Sequence, residues 1–487
     1  MDSRTSLLPI FATTGEVSYG QLSVPPRSSA RNRAVDWGPV DNRPYHDPGR
    51  DRRVGRHRMD AQSDRSGDSR RDPVCRQYKW RPSEEGVMFD SIYDEIGVPT
   101  VVNAAGTKTR IGGSLIRPAA ADAMRAAADS FARISDLQSR ASDLIAEVTG
   151  AEAGYVASGA AASMTLAAAA AIADDDLGTM ARLPDTEGVA DEIVMPRTHR
   201  TGYDHALRAA GATIVDVGTN DRHLGTGATN VEPWEIADAI GEDTAAVAYV
   251  QKEYTEPPLA TVADIAHDHD VPVIVDAAAE LPPVANLERF VDEGADMVVF
   301  SGGKAIRGPQ STGFLAGRQE YVRSAAAQHL DMHAAADAYD PPADLIDVDA
   351  LGGVPRQGIG RGLKVGKEEL VGLIRALELF VEEDQEATQD EWLRRAQRVA
   401  AGLAEAPVTT ELTGGDGVSV APEVAVFVDP DTTGTTAATL ARELRQEDPR
   451  VFVGADGIDD GLVTINPMCL TDEEADYVVE RIESYLG

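Results

Sequence analysis

Cysteine and lysine are the scarce residues of this chain. The two cysteines, Cys75 and Cys469, lie in different segments and offer neither a disulfide framework nor metal-ligand spacing. No run of about 18 apolar residues occurs, so no membrane-spanning helix is expected. The first 20 residues lack a basic stretch followed by an apolar one, which argues against secretion and for a cytoplasmic protein. Aromatic residues make up only 5%, yet hydrophobic residues reach 43%, ample for a large core. The length of 487 residues suggests about two or three domains.

Basic charge is short as well. Residues 1–87 hold 16 Lys+Arg against 12 Asp+Glu, leaving 29 against 69 for residues 88–487, a net of −40 there. Only five of those 29 are lysines: Lys108, Lys252, Lys304, Lys364 and Lys367. The acid is dispersed rather than gathered in blocks. Such a surface suits a high-salt cytoplasm, where screening removes most self-repulsion, and points to a halophilic source. It also argues against a nucleic-acid partner, which needs a basic groove.

Residues 1–87 differ abruptly from the rest. They are rich in Arg, Ser, Pro, Gly and Asp, as in Arg50-Asp51-Arg52-Arg53-Val54-Gly55-Arg56, with almost no periodic apolar pattern. Such a segment cannot bury enough surface to offset its ordering entropy, so a disordered extension is expected. Met88 stands at the change in composition, and a translation start there is the expectation. The domains read as 88–366, with an N-terminal arm, and a smaller α+β unit over 367–487.

From residue 88 onward, strands alternate with helices. Val101-Val102-Asn103 reads as extended, with helices at about 118–129, 136–149 and 159–173. Strand-like runs follow at 192–195, 212–217, 245–250, 271–276, 295–300 and 312–316, with helical stretches between most of them. This alternation implies an α/β unit with a mostly parallel sheet covered on both faces. Helices at 367–386, 390–404, 434–446 and 471–485 and short strands near 409–412, 423–428, 450–453 and 462–465 form the smaller unit.

Two residues carry the chemistry. The buried run Val273-Ile274-Val275 ends in Asp276, and 28 residues later Val298-Val299-Phe300 leads into Ser301-Gly302-Gly303-Lys304. A strand ending in Asp, then a helix, then a strand leading to Lys, is what a pyridoxal phosphate (PLP) enzyme of the aspartate-aminotransferase fold type needs. The lysine forms the Schiff base and the carboxylate keeps the pyridine nitrogen protonated. Alone, Asp276 would read as a helix cap and Lys304 as a surface residue; their spacing and the rarity of lysine here join them. Ser158-Gly159-Ala160-Ala161 opens an Ala-rich helix and could cradle the phosphate on backbone N–H groups, with Ser301 adding a hydroxyl. Ala278 is small enough to lie under a flat ring. His199 is the preferred residue for the other face, with Tyr203 the alternative.

The segment Ser301-Gly302-Gly303-Lys304-Ala305-Ile306-Arg307-Gly308-Pro309-Gln310-Ser311-Thr312-Gly313 resembles the lysine loop of selenocysteine synthase (L-seryl-tRNA selenium transferase) and its relatives. Val102-Asn103-Ala104-Ala105-Gly106-Thr107 resembles that family's N-terminal signature. Arg361-Gly362-Leu363-Lys364-Val365-Gly366-Lys367-Glu368-Glu369 resembles the stretch leading into its C-terminal domain. The similarity covers about 90–487. Asp276-Ala277-Ala278-Ala279-Glu280-Leu281-Pro282-Pro283 looks more like the branch that contains D-glucosaminate-6-phosphate ammonia-lyase. The resemblance implies PLP fold type I, PLP itself, and homo-oligomers with sites at subunit interfaces.

The expected activity is a lyase acting on a 2-amino-3-hydroxy acid, such as an amino sugar acid, with Lys304 as the base. Arg361 is the candidate for the substrate carboxylate, because a guanidinium binds it two-pronged. Lys364, and with it Lys367, could meet a phosphate or simply lie at a solvated helix start. The rivals are a transferase acting on aminoacyl-tRNA, another class V-like aminotransferase-fold activity, and a PLP-binding regulator without turnover.

Overall fold

The computed structural model describes residues 91–219, 230–252, 255–330, 335–414 and 421–486, together with the backbone of a short antiparallel pair, Arg81–Ser83 with Gly86–Met88. Apart from that pair, the expectations for residues 1–87 lie outside the described residues.

The centre is a seven-stranded sheet. Its order is Ala153–Ala157, Gly313–Gly317, Met297–Ser301, Val273–Asp276, Thr244–Val250, Glu192–Pro196 and Thr213–Val217. Every neighbouring pair is parallel except those made by Gly313–Gly317, which runs antiparallel to both its neighbours. Parallel strands are covered on both faces and therefore read as continuous apolar runs. Alternate side chains feed two cores. Tyr155, Ile193, Met195, Ala248, Ile274, Met297 and Val299 face one, with the helices Ala160–Ala173 and Gln319–His329. Val156, Val194, Val247, Tyr249, Val273, Val275, Val298 and Phe300 face the other, with Ile134–Thr149, Leu259–His267 and Lys367–Glu382. Ala160–Ala173 is buried along almost its whole length, so its alanines let helix and sheet approach closely.

Three elements of this layer went unread in the sequence: the strand Ala153–Ala157 and the helices Leu177–Arg182 and Gln319–His329. The strand Ala-Gly-Tyr-Val-Ala is too small and unpatterned to announce itself. Its small residues have a packing reason, because a Cβ on Gly154 would meet Ile145 Cγ2 at 2.4 Å.

The C-terminal part builds a third core. An antiparallel sheet of Thr409–Thr413, Glu423–Phe427 and Leu462–Ile465 packs against Gln385–Gly402, Ala437–Leu444 and Asp472–Leu486. The expected helix at 434–446 is the shorter Ala437–Leu444, capped by Thr436, and a separate short helix, Pro430–Thr433, precedes it and ends at Gly434 with its φ of 68°. Val101–Ala104 pairs in parallel with Arg450–Val453, so Val102 and Ala104 lie in this core and not in the large one. Lys367–Glu382 does the reverse, sending Leu370, Leu373, Leu377 and Phe380 into the large core at helical spacing. Among the described residues no helix is long and apolar enough to cross a membrane.

Candidate active site

The C-terminal ends of three neighbouring parallel strands bring the chemistry together, as open α/β sheets usually do. Val250 lies opposite Asp276, and Asp276 opposite Val299. The Asp276 carbonyl accepts from Gln251 N at 3.0 Å, and the next amide, Ala277, donates to Val299 O at 3.0 Å. The chain then turns, with Ala278 N donating to Asp276 Oδ1 at 3.1 Å. Asp276 keeps some solvent contact as a residue, but its carboxylate is surrounded by protein. Burial pushes its pKa up, opposed by the Ala278 hydrogen bond and by the charges of Lys304 and Lys252. A cation set against this carboxylate would restore its charged form.

Lys304 sits in a closed backbone loop. Gly302 N donates to Thr312 O (2.9 Å), Gly308 N to Gly302 O (2.8 Å) and Arg307 N to Lys304 O (3.0 Å). The loop needs its glycines: a Cβ on Gly302 would meet Thr312 Oγ1 at 2.2 Å, and one on Gly303 would meet Gln310 Cα at 2.7 Å. Ser114 Oγ lies 3.0 Å from the carbonyls of both Gly303 and Lys304. Arg117 Nε donates to Ile306 O at 2.9 Å, and Arg117 is itself held by Glu383 through two bonds of 3.0 and 2.8 Å. Burial lowers the Lys304 pKa, while Asp276 works against that shift. A lysine so placed has more of the neutral amine that acts as nucleophile or base.

The helix Ala160–Ala173 starts at the same edge with no side-chain cap, from a Gly159 at φ 129°. The amides of Ser158 and Gly159 are already committed, to Leu363 O (3.0 Å) and Ala157 O (2.8 Å). The donors left for an anion are those of residues 160–162, which have no acceptor within the helix, together with the Ser158 hydroxyl. Gly313 lets the neighbouring strand press close, since a Cβ there would meet Ala160 N at 2.3 Å. Ser301, directly opposite Gly313, ends its strand beside this point.

His199 is 3% exposed. Its Nδ1 accepts from Val250 N at 3.4 Å, its ring stands edge-on to Tyr249 at 4.7 Å, and its Nε2 has no hydrogen-bond partner. Burial lowers its pKa to about 4, so the ring is neutral at neutral pH. Tyr203, the alternative ring clamp, is instead 61% exposed. Arg361 lies in the turn Ile359–Leu363, whose Leu363 carbonyl holds Ser158, so it belongs to the same neighbourhood. Lys364 is exposed next to that turn. Lys367 is spent elsewhere, with its ammonium on Ala127 O at 2.6 Å and on Glu368.

Sequence reasoning missed the supports of this site. Ser114 reaches Lys304 itself, and Arg117 reaches Ile306 in the same loop, each from about 190 residues away, and no local pattern marks them. Lys252 and Glu280 form an ion pair at 2.5 Å, and both charges act on Lys304. The rarity of lysine was the available signal for Lys252.

This sheet order, with a lysine and a carboxylate on adjoining strand ends, defines a PLP enzyme of fold type I. Comparison with known proteins agrees. The L-seryl-tRNA selenium transferase family model matches residues 101–337. The chain is 30% identical to the D-glucosaminate-6-phosphate ammonia lyase of Salmonella typhimurium, over 81% of this chain and 98% of that protein. It is 32% identical to the 5'-C-glycyluridine monooxygenase-decarboxylase of a Streptomyces species, over 81% of this chain and 92% of that protein. A solved structure of D-glucosaminate-6-phosphate ammonia-lyase superposes with a TM-score of 0.67 at 28% identity, covering 82% of this chain and 99% of that one. The chain belongs to the selenocysteine synthase-like family of PLP enzymes, the family of these relatives.

The residues present fit PLP. The site has a buried carboxylate that a cation would stabilise, a lysine with a lowered pKa, an uncapped helix start for a phosphate and an unpartnered imidazole nitrogen.

Proposed function

We propose that this protein is a PLP-dependent lyase that converts a 2-amino-3-hydroxy acid, an amino sugar acid such as D-glucosaminate or its 6-phosphate, into a 2-keto-3-deoxy acid and ammonia. What supports the reading is the Asp276–Lys304 pair in a chain that aligns with 98% of a D-glucosaminate-6-phosphate ammonia lyase.

Lys304 would hold the cofactor through its aldehyde, and Asp276 would face its pyridine nitrogen. The Ser158 hydroxyl, the helix start that follows Gly159 with the amides of Ala160 and the next two residues, and Ser301 surround the place for its phosphate. Ala278 and His199 flank the place for its ring. When bound, PLP supplies an electron sink that acidifies the substrate Cα–H. The Lys304 amine would take that proton as a general base. The neutral His199 ring adds bulk without a competing charge. Arg361 takes the substrate carboxylate two-pronged, and Lys364 meets a more distant anionic group. The glycine-tight loop and the Ser114 and Arg117 contacts hold Lys304 in place while its proton moves.

The same reading includes a cytoplasmic homo-oligomer with a surface adapted to high salt. Leu115, next to Ser114 and 71% exposed, supports a subunit contact near the site, and the fully exposed Phe131 supports a further contact. The domain boundary is placed near residue 367, with the exchange of Val101–Ala104 and Lys367–Glu382 described above.

The test is a screen of amino sugar acids and hydroxy-amino acids for ammonia release, with oxygen uptake followed in parallel. Equal yields of ammonia and 2-keto acid without oxygen uptake are expected. Oxygen uptake in their place would overturn the lyase reading and favour chemistry like that named for the Streptomyces relative. A gel shift with tRNA would instead favour the transferase.

A further inference from the structure

The Lys252–Glu280 pair lies at the same edge of the sheet and is unused by the steps above. Lys252 follows the strand Thr244–Val250 by two residues, and its charge acts on both Asp276 and Lys304. Its backbone is fixed, with the carbonyl accepting from Gln251 Nε2 (3.0 Å) and Thr255 N (3.1 Å). Glu280 is fixed too: its amide donates to Ala277 O (3.1 Å) and its carbonyl accepts from Asn286 Nδ2 (2.7 Å). The Lys252 side chain is 36% exposed and the Glu280 side chain 13%, so the pair spans from protein to solvent.

We propose that Lys252 is the acid that protonates the departing 3-hydroxyl, with Glu280 as the carboxylate that positions it. This rests on the lyase reading and assigns the half of the reaction that Lys304 leaves open. Hydroxide is a poor leaving group, so the Cβ–O bond needs a proton delivered as it breaks. A cation already matched by a carboxylate at 2.5 Å gains little from a second anion, which makes Lys252 a weaker substrate-anion receptor than a proton donor. Paired groups whose surroundings favour opposite protonation states divide acid and base work between them. Here burial favours the neutral Lys304 amine, and Glu280 faces the Lys252 ammonium.

The step balances. The Cα proton goes to Lys304. The Cβ–O electron pair leaves with the oxygen, which takes a proton from Lys252 and departs as water. Lys304 is then charged and Lys252 neutral, and one proton passed from Lys304 to Lys252 through solvent resets both.

The experiment compares the wild-type holoenzyme with Lys252→Met on D-glucosaminate 6-phosphate and on 3-chloro-D-alanine, whose chloride leaves without a proton. Lys252→Met should lose about 10²-fold or more on the hydroxy acid, lose far less on the chloro acid, and still exchange the Cα proton with solvent deuterium. Glu280→Gln should show the same pattern more weakly. Equal losses on both substrates, or loss of Cα exchange, would overturn the assignment and make Lys252 a binding residue. A wild type that eliminates neither substrate would sink the lyase reading itself, and the inference with it. A second readout needs no turnover: in the apoprotein, trinitrobenzenesulfonate should label Lys304 more slowly in Lys252→Met. The lost ammonium leaves Asp276 and Glu280 less opposed, with Lys108 still acting against them. An unchanged labelling rate would place Lys252 too far away and overturn the proposal. Lys252→Gln takes the place of Lys252→Met in both assays if the latter fails to fold.

Discussion

Two clusters of charge in this molecule use the same residue types to opposite ends. At the sheet edge, Asp276, Lys304, Lys252 and Glu280 crowd a partly dry site. Along the seam between Gln385–Gly402 and Asp472–Leu486, Arg394 holds Asp472 through two bonds of 2.9 Å, Arg395 reaches it at 3.1 Å, and Arg398 holds Asp476 at 2.5 and 2.6 Å. The Asp472 pKa falls to about 2, chiefly through the Arg394 hydrogen bond, whereas burial drives that of Asp276 up. One aspartate is more comfortable as an anion than it would be in water, and the other less so. The first kind of site contributes stability; the second stores reactivity, which is why shifted groups gather at functional sites.

The largest effect expected on this contrast comes from Lys304→Ala. Turnover should fall by the upper end of the roughly 10²–10⁴-fold range for losing a positioned base, and borohydride should fix no PLP to the chain. Mass spectrometry of the borohydride-treated variant checks this, and a covalent adduct on another lysine would remove Lys304 from the centre of the site. Asp276→Asn should follow, with a loss of about 10²–10³-fold, as for other preorganised electrostatic partners. Its stability should move the other way. A carboxyl whose folded pKa is raised contributes stability below its unfolded pKa and loses it as pH rises through the folded value. At pH 7 the apoprotein therefore carries a cost at Asp276 that Asn lacks, and the variant apoprotein should melt no lower than wild type. A lower Tm with normal turnover would make Asp276 a turn-capping residue only.

The sequence made the reactive cluster half legible and the stabilising one not at all. Asp276 and Lys304 stand out because each ends an apolar run that only a buried parallel strand explains. Their supports do not, since Ser114, Arg117 and Glu383 act across gaps that folding alone closes. Val101–Ala104 reads as extended from its own residues, but its partner Arg450–Val453 lies some 350 positions away, and nothing local announces the pairing. The strand Ala153–Ala157 was lost because helix–sheet proximity demands small residues there and erases the β-branched signature. Within the segment read as a phosphate cradle, Ser158 and Gly159 spend their amides on Leu363 and Ala157, which leaves the donors at residues 160–162.

Arg361→Lys probes the middle of the range. Lysine keeps the charge but loses the two-pronged match to a carboxylate, a loss of about 1.5–3 kcal/mol for a charged hydrogen bond. KM for the substrate should rise about 10-fold to 100-fold, while PLP absorbance and thermal stability stay near wild type. Unchanged KM with lost PLP absorbance would make Arg361 a cofactor-phosphate ligand and move the carboxylate site elsewhere.

The smallest effect belongs to Asp472→Asn, and it tests the other side of the comparison. The seam is half-exposed, so the whole exchange should cost only about 0.5–1 kcal/mol at neutral pH, the upper range for surface ion pairs because two arginines share one carboxylate. The sign with pH follows from the lowered pKa. The contribution is present above the ordinary carboxyl value of 3.8 and is lost as pH falls through about 2, so the gap between wild type and variant should close across that window. It should also shrink between 0.1 and 1 M salt, as the screening length drops from about 10 to 3 Å. Ammonia release per folded molecule should not change, because the bonds that hold Asp472 and Asp476 go to Arg394, Arg395 and Arg398 and, among the described residues, to none at the sheet edge. Urea titrations at several pH and salt values, paired with turnover, measure both. A variant that keeps its stability but loses turnover would dissolve the division between the two clusters and show that the small domain tunes the site through this seam.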